Sequence, residues 1–200
     1  MNFKVLNDPF PHILGENIWN KEELKLIWEE LQFLNKKHKL KTAEGFAGVV
    51  DKTNSLGIMY DQSLREVSNL HYLNTKLFEE IRPSVIELSE SNVLLKSLPR
   101  ATRCTSKLRY YENGAEYKTH IDMKFVYLIF MYFHKTPKKF KGGELIFEEF
   151  NYEFAAKNNS LILIPGCVPH GVKKVEMDEK YNATHGRYCF SMFLELPDRV

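Results

Sequence analysis

His120 and Asp122 stand two residues apart in the segment YKTHIDMKF, residues 117–125. The Tyr, Thr, Ile and Phe of this segment favour a β-strand. In a strand, residues i and i+2 point to the same face, so the imidazole and the carboxylate would project side by side. Together they would offer a metal ion one nitrogen and one oxygen ligand. The triplet is weak evidence by itself, because a half-buried histidine bonded to its neighbour gives the same pattern.

A second histidine, His170, follows the apolar run SLILI and the break at Pro165-Gly166. If His170 opens the next strand, it can face the earlier strand and supply a second nitrogen. Two histidines and one carboxylate that leave open coordination positions form the ligand set of non-haem Fe(II) oxygenases. The alternative for His170 is a loop position after Pro169.

Arg187 begins the segment RYCFSMFLEL, in which Cys189 and Ser191 share its strand face. An unpaired charge inside a barrel is costly, so an inward-pointing arginine needs an anionic partner. A dicarboxylate cosubstrate would supply one through a bidentate pair. A surface ion pair at the strand end is the alternative.

The elements that must position these residues change character near residue 100. Asn20, with Glu23 three residues later, predicts a capped helix. A second helical region is predicted from about residue 64 to 81, ended by Pro83, with a further turn or two after it. Residues 44–60 show no sustained period, which indicates a long loop with short strands that could close over a substrate.

After residue 100, β-strand patterns dominate. Strands are predicted at 107–111, 117–122, 125–134, 144–150, 160–164, 170–175 and 187–196. Many short strands separated by turns indicate an antiparallel sandwich or barrel. In the strand at 125–134, one alternating set, with Tyr132, should face the barrel interior, and the other the helices.

Five motifs resemble, in their order and intervals, the Fe(II)- and 2-oxoglutarate-dependent dioxygenases, and within them the prolyl-4-hydroxylase-like branch. They are YYENGAEYKTHID, LIFMYFHK, GGELIF, NNSLILIPGCVPHGVKKV and GRYCFSMFLEL. The resemblance implies a mainly β fold with supporting helices, a double-stranded β-helix of the jelly-roll or cupin-like kind packed against N-terminal helices. It also implies one domain over residues 1–200, with 1–100 as helical support and possible substrate loop and 101–200 as the catalytic barrel.

The resemblance assigns roles to individual residues. His120, Asp122 and His170 match the iron triad, and Gly142 and Gly143 match the glycine pair that opens the strand facing the iron. The cosubstrate residues are Arg187 and Tyr132, which match the pair that binds the far carboxylate of 2-oxoglutarate, and Tyr111, which falls where a tyrosine lines the pocket. Two departures stand out. Cys189 stands where the family often has a serine. The hairpin before Arg187 is longer than usual in the family, which makes Lys180 a rival for the role of Arg187.

The implied activity is hydroxylation of prolyl residues in a peptide or protein with release of succinate and CO2. The implied cofactors are Fe(II), 2-oxoglutarate and O2, with ascorbate as a possible reductant. Two alternatives stay open. One is the same oxygenase chemistry on a non-prolyl or small-molecule substrate. The other is a protein of a different class, either a metal-dependent lyase or isomerase that uses the same three ligands or a non-catalytic cupin-like binding module.

Composition narrows the partners. The net charge is only +2, and the basic residues are dispersed, which argues against nucleic acid. Three cysteines without paired spacing favour a reducing compartment. The N-terminus lacks an apolar signal core, and the longest apolar run is too short to span a bilayer. The sequence therefore predicts a cytoplasmic protein without a membrane partner.

Overall fold

A computed structural model of the chain describes residues 2–46, 52–91, 96–101 and 103–197. The helices are α1 (Lys21–Lys36), α2 (Ala43–Phe46), α3 (Gln62–Val67), α4 (Asn69–Ser91) and α5 (Asn182–His185). The strands are β1 (Asn2–Leu6), β2 (His12–Glu16), β3 (Leu56–Met59), β4 (Arg103–Tyr111), β5 (Tyr117–His120), β6 (Tyr127–Phe133), β7 (Phe140–Lys141), β8 (Leu145–Phe147), β9 (Tyr152–Phe154), β10 (Ser160–Pro165), β11 (His170–Val172), β12 (Glu176–Met177) and β13 (Arg187–Glu195). Short 3-10 turns lie at Leu98–Arg100, Glu148–Phe150 and Glu179–Tyr181.

Two antiparallel sheets form the body of the molecule. The large sheet has seven strands in the order β1-β2-β10-β6-β13-β4-β3, and the small sheet has four in the order β5-β11-β8-β9. Side chains from both sheets pack into one apolar cluster, with Leu128 and Phe130 from the large sheet and Leu145 and Val172 from the small one. This arrangement is the predicted double-stranded β-helix, and the mainly β fold class is confirmed.

Helices α1 and α4 cover the other face of the large sheet. Ile27 and Leu31 of α1 are completely buried, and they share a second apolar cluster with Ile129 and Phe190 of the sheet. The start of α1 is fixed by the predicted capping box. The Glu23 backbone N–H donates to Asn20 Oδ1 over 2.9 Å, and the Asn20 N–H donates to Glu23 Oε2 over 3.0 Å.

The alternation of β6 sorts its side chains between the two clusters. Leu128, Phe130 and Tyr132 point towards the small sheet, whereas Ile129 and Met131 point towards the helices. This confirms the predicted division of the strand, with Tyr132 on the interior face. Strand β13 alternates in the same way, and its interior set begins with Arg187.

The helical region before residue 100 differs from the prediction in two ways. Helix α4 continues through Pro83 instead of ending there. Proline removes one backbone donor, but Leu77 and Ile81 just before it are buried against the core, and this packing outweighs the local cost. The region is also divided at Ser68, whose hydroxyl accepts a hydrogen bond of 2.8 Å from the His71 N–H and so caps α4.

The first hundred residues contribute strands as well as helices. Strand β2 pairs with both β1 and β10, and β3 pairs with β4, so three strands of the large sheet precede residue 100. The predicted loop at residues 44–60 contains the end of α2 and all of β3, and residues 47–51 lie outside the described residues. Its closure over a substrate stays a prediction. Within the described ranges, no helix is long and apolar enough to cross a membrane.

Candidate active site

Strands β5 and β11 bring the two predicted metal-binding histidines together. They pair antiparallel, with His170 directly opposite His120. Asp122 lies two residues beyond the end of β5, and its Oδ2 is 3.8 Å from Nε2 of each histidine. One ligand atom from each of the three residues lies within 4.8 Å of the others. The structure therefore places His170 on a strand facing His120, and the three side chains could hold one metal ion.

Backbone carbonyl groups orient both imidazole rings. His120 Nδ1 lies 3.0 Å from the Lys118 carbonyl oxygen, and His170 Nδ1 lies 2.9 Å from the Val168 carbonyl oxygen. Because a carbonyl oxygen only accepts hydrogen bonds, each Nδ1 carries the proton and donates it. Each Nε2 then keeps its lone pair available for a metal ion, as metal-binding histidines require.

Burial keeps both histidines in the neutral form that binds metals. Desolvation, together with the neighbouring His120, lowers the pKa of His170 to about 4. Desolvation also lowers the pKa of His120, although Asp122 acts in the opposite direction. Tyr117 stacks on the His120 ring, with 4.1 Å between ring centres and 20° between planes, and further limits its rotation.

Arg187 lies on the β13 wall of the same pocket with its charge uncompensated. Its side chain is buried, and its guanidinium carbon is 4.7 Å from the ring centre of Tyr111 and 4.5 Å from that of Tyr132. Among the described residues, none bonds to Nε, Nη1 or Nη2 of Arg187, or to the buried Tyr132 hydroxyl. Buried polar groups are ordinarily hydrogen-bonded, so this pair fits an anionic ligand such as a carboxylate.

Gly142 and Gly143 lie where larger residues would not fit, and Gly143 makes room for Arg187. Gly143 has φ +76°, and a Cβ there would lie 2.9 Å from Arg187 Cδ. Gly142 has φ +72°, and its Cβ would overlap the Lys174 carbonyl oxygen. Both positions therefore favour glycine for steric and conformational reasons.

The rival Lys180 lies on the surface, outside this pocket. Its Nζ pairs with Asp178 Oδ2 at 2.5 Å, and 64% of its side chain is exposed. The structure therefore places Arg187, and not Lys180, in the pocket with His120, Asp122 and His170.

Two further basic residues of the pocket escaped the sequence prediction. Lys107 and Arg109 alternate with Leu108 along β4 and face the pocket together with Tyr111. Arg109 donates to Ser55 Oγ over 3.1 Å and lies 4.6 Å from the Tyr117 ring centre. Lys107 Nζ lies 4.2 Å from the Phe193 ring centre. Burial, and secondarily the charge of Arg109, lower the Lys107 pKa to about 7. The alternation in KLRYY was the signal that could have revealed them.

The space between the lining atoms of the pocket, including the part open to solvent, is about 360 Å³. The histidines and Asp122 lie on one side, Arg187 and Tyr132 on another, and Phe130, Leu145 and Val172 supply apolar walls. This combination of open metal ligands, an unpaired buried cation and a dry lining suits binding of a metal and a small dicarboxylate.

Comparisons with known proteins agree with this geometry. The family model described as the 2OG-Fe(II) oxygenase superfamily matches residues 106–194. No curated protein matches the chain.

Solved structures of prolyl hydroxylases have a similar fold. A Pseudomonas putida prolyl-4-hydroxylase superposes with a TM-score of 0.68 at 12% identity, covering 93% of this chain and 92% of that chain. A prolyl hydroxylase from Trichoplax adhaerens, in complex with a hypoxia inducible factor peptide fragment, gives 0.60 at 13%, covering 92% and 83%. The viral collagen prolyl hydroxylase from Paramecium Bursaria Chlorella virus-1, in its 2OG complex, gives 0.57 at 11%, covering 92% and 96%.

The TM-scores establish a common fold, and the low sequence identities leave the substrate open. The family match covers β4 through β13, and so includes the His120–Asp122–His170 group and Arg187. The resemblance seen in the sequence is confirmed, because residues 106–194 match the family model of the 2OG-Fe(II) oxygenase superfamily.

Proposed function

We propose that this protein is an Fe(II)- and 2-oxoglutarate-dependent dioxygenase that hydroxylates prolyl residues of a peptide or protein and releases succinate and CO2. One observation carries the proposal. The buried, unpaired guanidinium of Arg187 lines the same pocket as the His120–Asp122–His170 group. A metal site alone fits many functions, whereas a metal site beside an unpaired buried cation fits a cosubstrate with a free carboxylate.

Each residue has a defined part in this proposal. His120, Asp122 and His170 hold Fe(II). Arg187 and Tyr132 bind the far carboxylate of 2-oxoglutarate through charge-assisted hydrogen bonds, and Tyr111 packs against the guanidinium. When bound, iron and 2-oxoglutarate supply the oxidative chemistry with O2, and the protein supplies binding and orientation.

The remaining pocket residues maintain the surroundings of the metal. Apolar walls from Phe130, Leu145 and Val172 limit the access of water, which strengthens the electrostatic contacts inside. The carbonyl groups of Lys118 and Val168 keep the imidazole rings in the tautomer that presents Nε2. No side chain is needed as a general acid or base.

The prolyl substrate is supported by the fold of the neighbours, one of which is a prolyl hydroxylase in complex with a peptide. The cytoplasmic location, the single domain over residues 1–200 and a role for ascorbate as reductant are parts of the same proposal.

The decisive experiment is an anaerobic titration of the purified protein with Fe(II) and 2-oxoglutarate, followed by visible absorbance. Wild type should develop a charge-transfer band that requires both additions. His120→Ala should lose the band, and Arg187→Met should require at least tenfold more 2-oxoglutarate. Lys180→Met is the matched control and should behave as wild type.

The absence of a band in folded, metal-loaded wild type would refute the oxygenase proposal and favour a binding module. If Lys180→Met instead raised the 2-oxoglutarate requirement, the cosubstrate contact would move to Lys180. The prolyl assignment needs a separate test, in which proline-containing peptides are searched for a gain of one oxygen atom.

A further inference from the structure

The pocket contains more positive charge than 2-oxoglutarate accounts for. Lys107, Arg109 and Arg187 all line it, and among the described lining residues Asp122 alone carries a carboxylate. In the proposed complex, Asp122 would help to hold the metal ion, and Arg187 would bind the far carboxylate of 2-oxoglutarate. Lys107 then remains, and a partly buried cation without an anion is costly.

Lys107 is the basic residue whose charge is left over. Arg109 is held by Ser55 and by the Tyr117 ring. In the part of the chain that the structure describes, the Lys107 ammonium has neither a carboxylate partner within salt-bridge distance nor a hydrogen-bond acceptor, and it lies 4.2 Å from the Phe193 ring centre. The ammonium therefore has donors available for a ligand.

The strand register of the large sheet places Lys107 at a distance from Arg187, the residue that binds the cosubstrate in the proposal. Lys107 lies opposite Ser191, and Tyr111 lies opposite Arg187. Four residues of extended chain correspond to about 13 Å, so the two cations lie at different levels of the pocket. Arg187 is at the buried level, whereas Lys107 is partly exposed.

Lys107 is also the basic residue that lies electrostatically close to the metal ligands. Its charge acts on His120, His170 and Asp122. Because Lys107 lines the same pocket as His120, Asp122 and His170, an anion bound to it would lie in the pocket with these side chains. The charge of Lys52 also acts on His120, which adds to the positive potential at this histidine.

We infer that the primary substrate carries a carboxylate and that Lys107 binds it. This inference rests on the proposed oxygenase function and narrows its substrate to prolyl compounds with a carboxylate next to the reacting ring. Three sources share that chemistry: free proline, a C-terminal prolyl residue, and a prolyl residue beside an acidic side chain. Lys107 is a substrate-binding residue in this scheme, and Arg109 supports it through its charge.

The test uses three matched pairs in the presence of Fe(II) and 2-oxoglutarate. They are L-proline and L-prolinamide, a short peptide ending in proline as its acid and its amide, and a peptide with an internal Asp-Pro and its Asn-Pro analogue. Hydroxylation is followed by the gain of one oxygen atom in mass spectrometry. In wild type, the acid of at least one pair should exceed its neutral partner at least tenfold in kcat/KM.

Two variants assign this preference to Lys107. Lys107→Met should reduce the ratio between acid and neutral partner to near one, and Lys107→Arg should retain most of it. The anaerobic absorbance titration separates this role from cosubstrate binding. Lys107→Met should show the charge-transfer band at the same 2-oxoglutarate concentration as wild type.

Three results would overturn the inference while the oxygenase proposal stands. The first is that wild type shows the charge-transfer band but hydroxylates no pair, or hydroxylates the acid and the neutral partner equally. The second is that Lys107→Met keeps the preference for the acid. The third is that Lys107→Met requires tenfold more 2-oxoglutarate than wild type. The last would mean that Lys107 binds the near carboxylate of the cosubstrate. A missing band in wild type would instead refute the oxygenase proposal itself, and this inference with it.

Discussion

At the scale of single residues, Arg187 shows how function can conflict with stability. Its guanidinium is buried between two tyrosine rings, and none of its three nitrogen atoms has a hydrogen-bond partner among the described residues. A protein selected for stability alone would place an apolar side chain there, because desolvation of an unpaired charge is unfavourable. The charge is explained if a carboxylate binds beside it during function.

This conflict predicts opposite effects of Arg187→Met on the free and the ligand-bound protein. The ligand-free variant should gain about 1–4 kcal/mol in free energy of unfolding, because the buried charge is removed. For a chain of this size, about 1 kcal/mol corresponds to roughly 2–4 °C in Tm. The stabilisation that 2-oxoglutarate and Mn(II) give to wild type should largely disappear. Thermal unfolding with and without these ligands measures both effects.

Lys180→Met serves as the control for this pair of effects. Lys180 is exposed and far from the pocket, so the variant should keep the wild-type response to 2-oxoglutarate. If Arg187→Met retained the full ligand-induced rise in Tm, Arg187 would not contact the cosubstrate.

Residue types and spacing made His120, Asp122, His170 and Arg187 candidates, and the resemblance to the dioxygenases assigned their roles. Alternation correctly placed Arg187 on the same face as Cys189. The predicted strand at 117–122 was too long, because β5 ends at His120 and Asp122 lies in the irregular segment that follows.

Applied to KLRYY, alternation would also have placed Lys107 and Arg109 beside Tyr111. Basic residues on one face of a strand ordinarily indicate that this face is exposed to solvent. Only the folded structure shows that Lys107 and Arg109 line the pocket.

At the scale of elements, the close pairing of β5 and β11 determines the geometry of the His120–Asp122–His170 group, called the metal group below. His120 and His170 are direct cross-strand partners, and the register shifts between His170 and Val172. Gly171 lies at this irregularity. A Cβ there would be 2.9 Å from Thr119 Oγ1 and 3.0 Å from the Tyr117 carbonyl oxygen. The glycine therefore allows the two strands to approach.

Gly171→Ala should weaken metal binding by displacing one strand from the other. The added methyl group must push against the β5 backbone, which should cost about 1–3 kcal/mol of stability. The same displacement should separate His120 from His170 and lower the affinity for Mn(II) about tenfold or more. Isothermal titration with Mn(II) measures the affinity, and circular dichroism at increasing temperature measures the stability.

Gly45→Ala is a suitable control, because its Cβ would meet only the flexible Lys41 side chain. It should change neither metal affinity nor Tm by much. Unchanged Mn(II) affinity in Gly171→Ala would show that the spacing of β5 and β11 does not control the metal group.

The elements themselves were only partly predictable. The capping box of α1 is local, so the sequence revealed it. The course of α4 through Pro83 depends on burial of Leu77 and Ile81 against the core, which no local pattern reports. Strands β1 and β2 were missed because they are held by pairing with each other and with β10, far along the chain.

At the scale of the whole molecule, the large sheet connects the helices with the pocket. Strands β6 and β13 present Met131 and Phe190 to the helical side, and Tyr132 and Cys189 to the pocket side. Because the same strands belong to both apolar clusters, the helical layer supports the wall that carries Arg187. The helices and the barrel should therefore unfold together.

Leu31→Ala tests this coupling from the side remote from the pocket. Leu31 of α1 is completely buried, so its truncation should lower the free energy of unfolding by about 2–5 kcal/mol. Leu26→Ala is the matched control on the same helix, since Leu26 is 40% exposed and should lose much less. Far-UV circular dichroism reports the helices, and near-UV dichroism below about 285 nm reports the packing of the tyrosine rings, which include Tyr111 and Tyr132 at the pocket, together with the tryptophans of the helical layer. Both signals should shift to the same lower Tm, while the folded variant keeps the wild-type 2-oxoglutarate requirement. A helical signal lost well before the tyrosine signal would mean that the helices form a separate layer and do not hold the pocket wall in place.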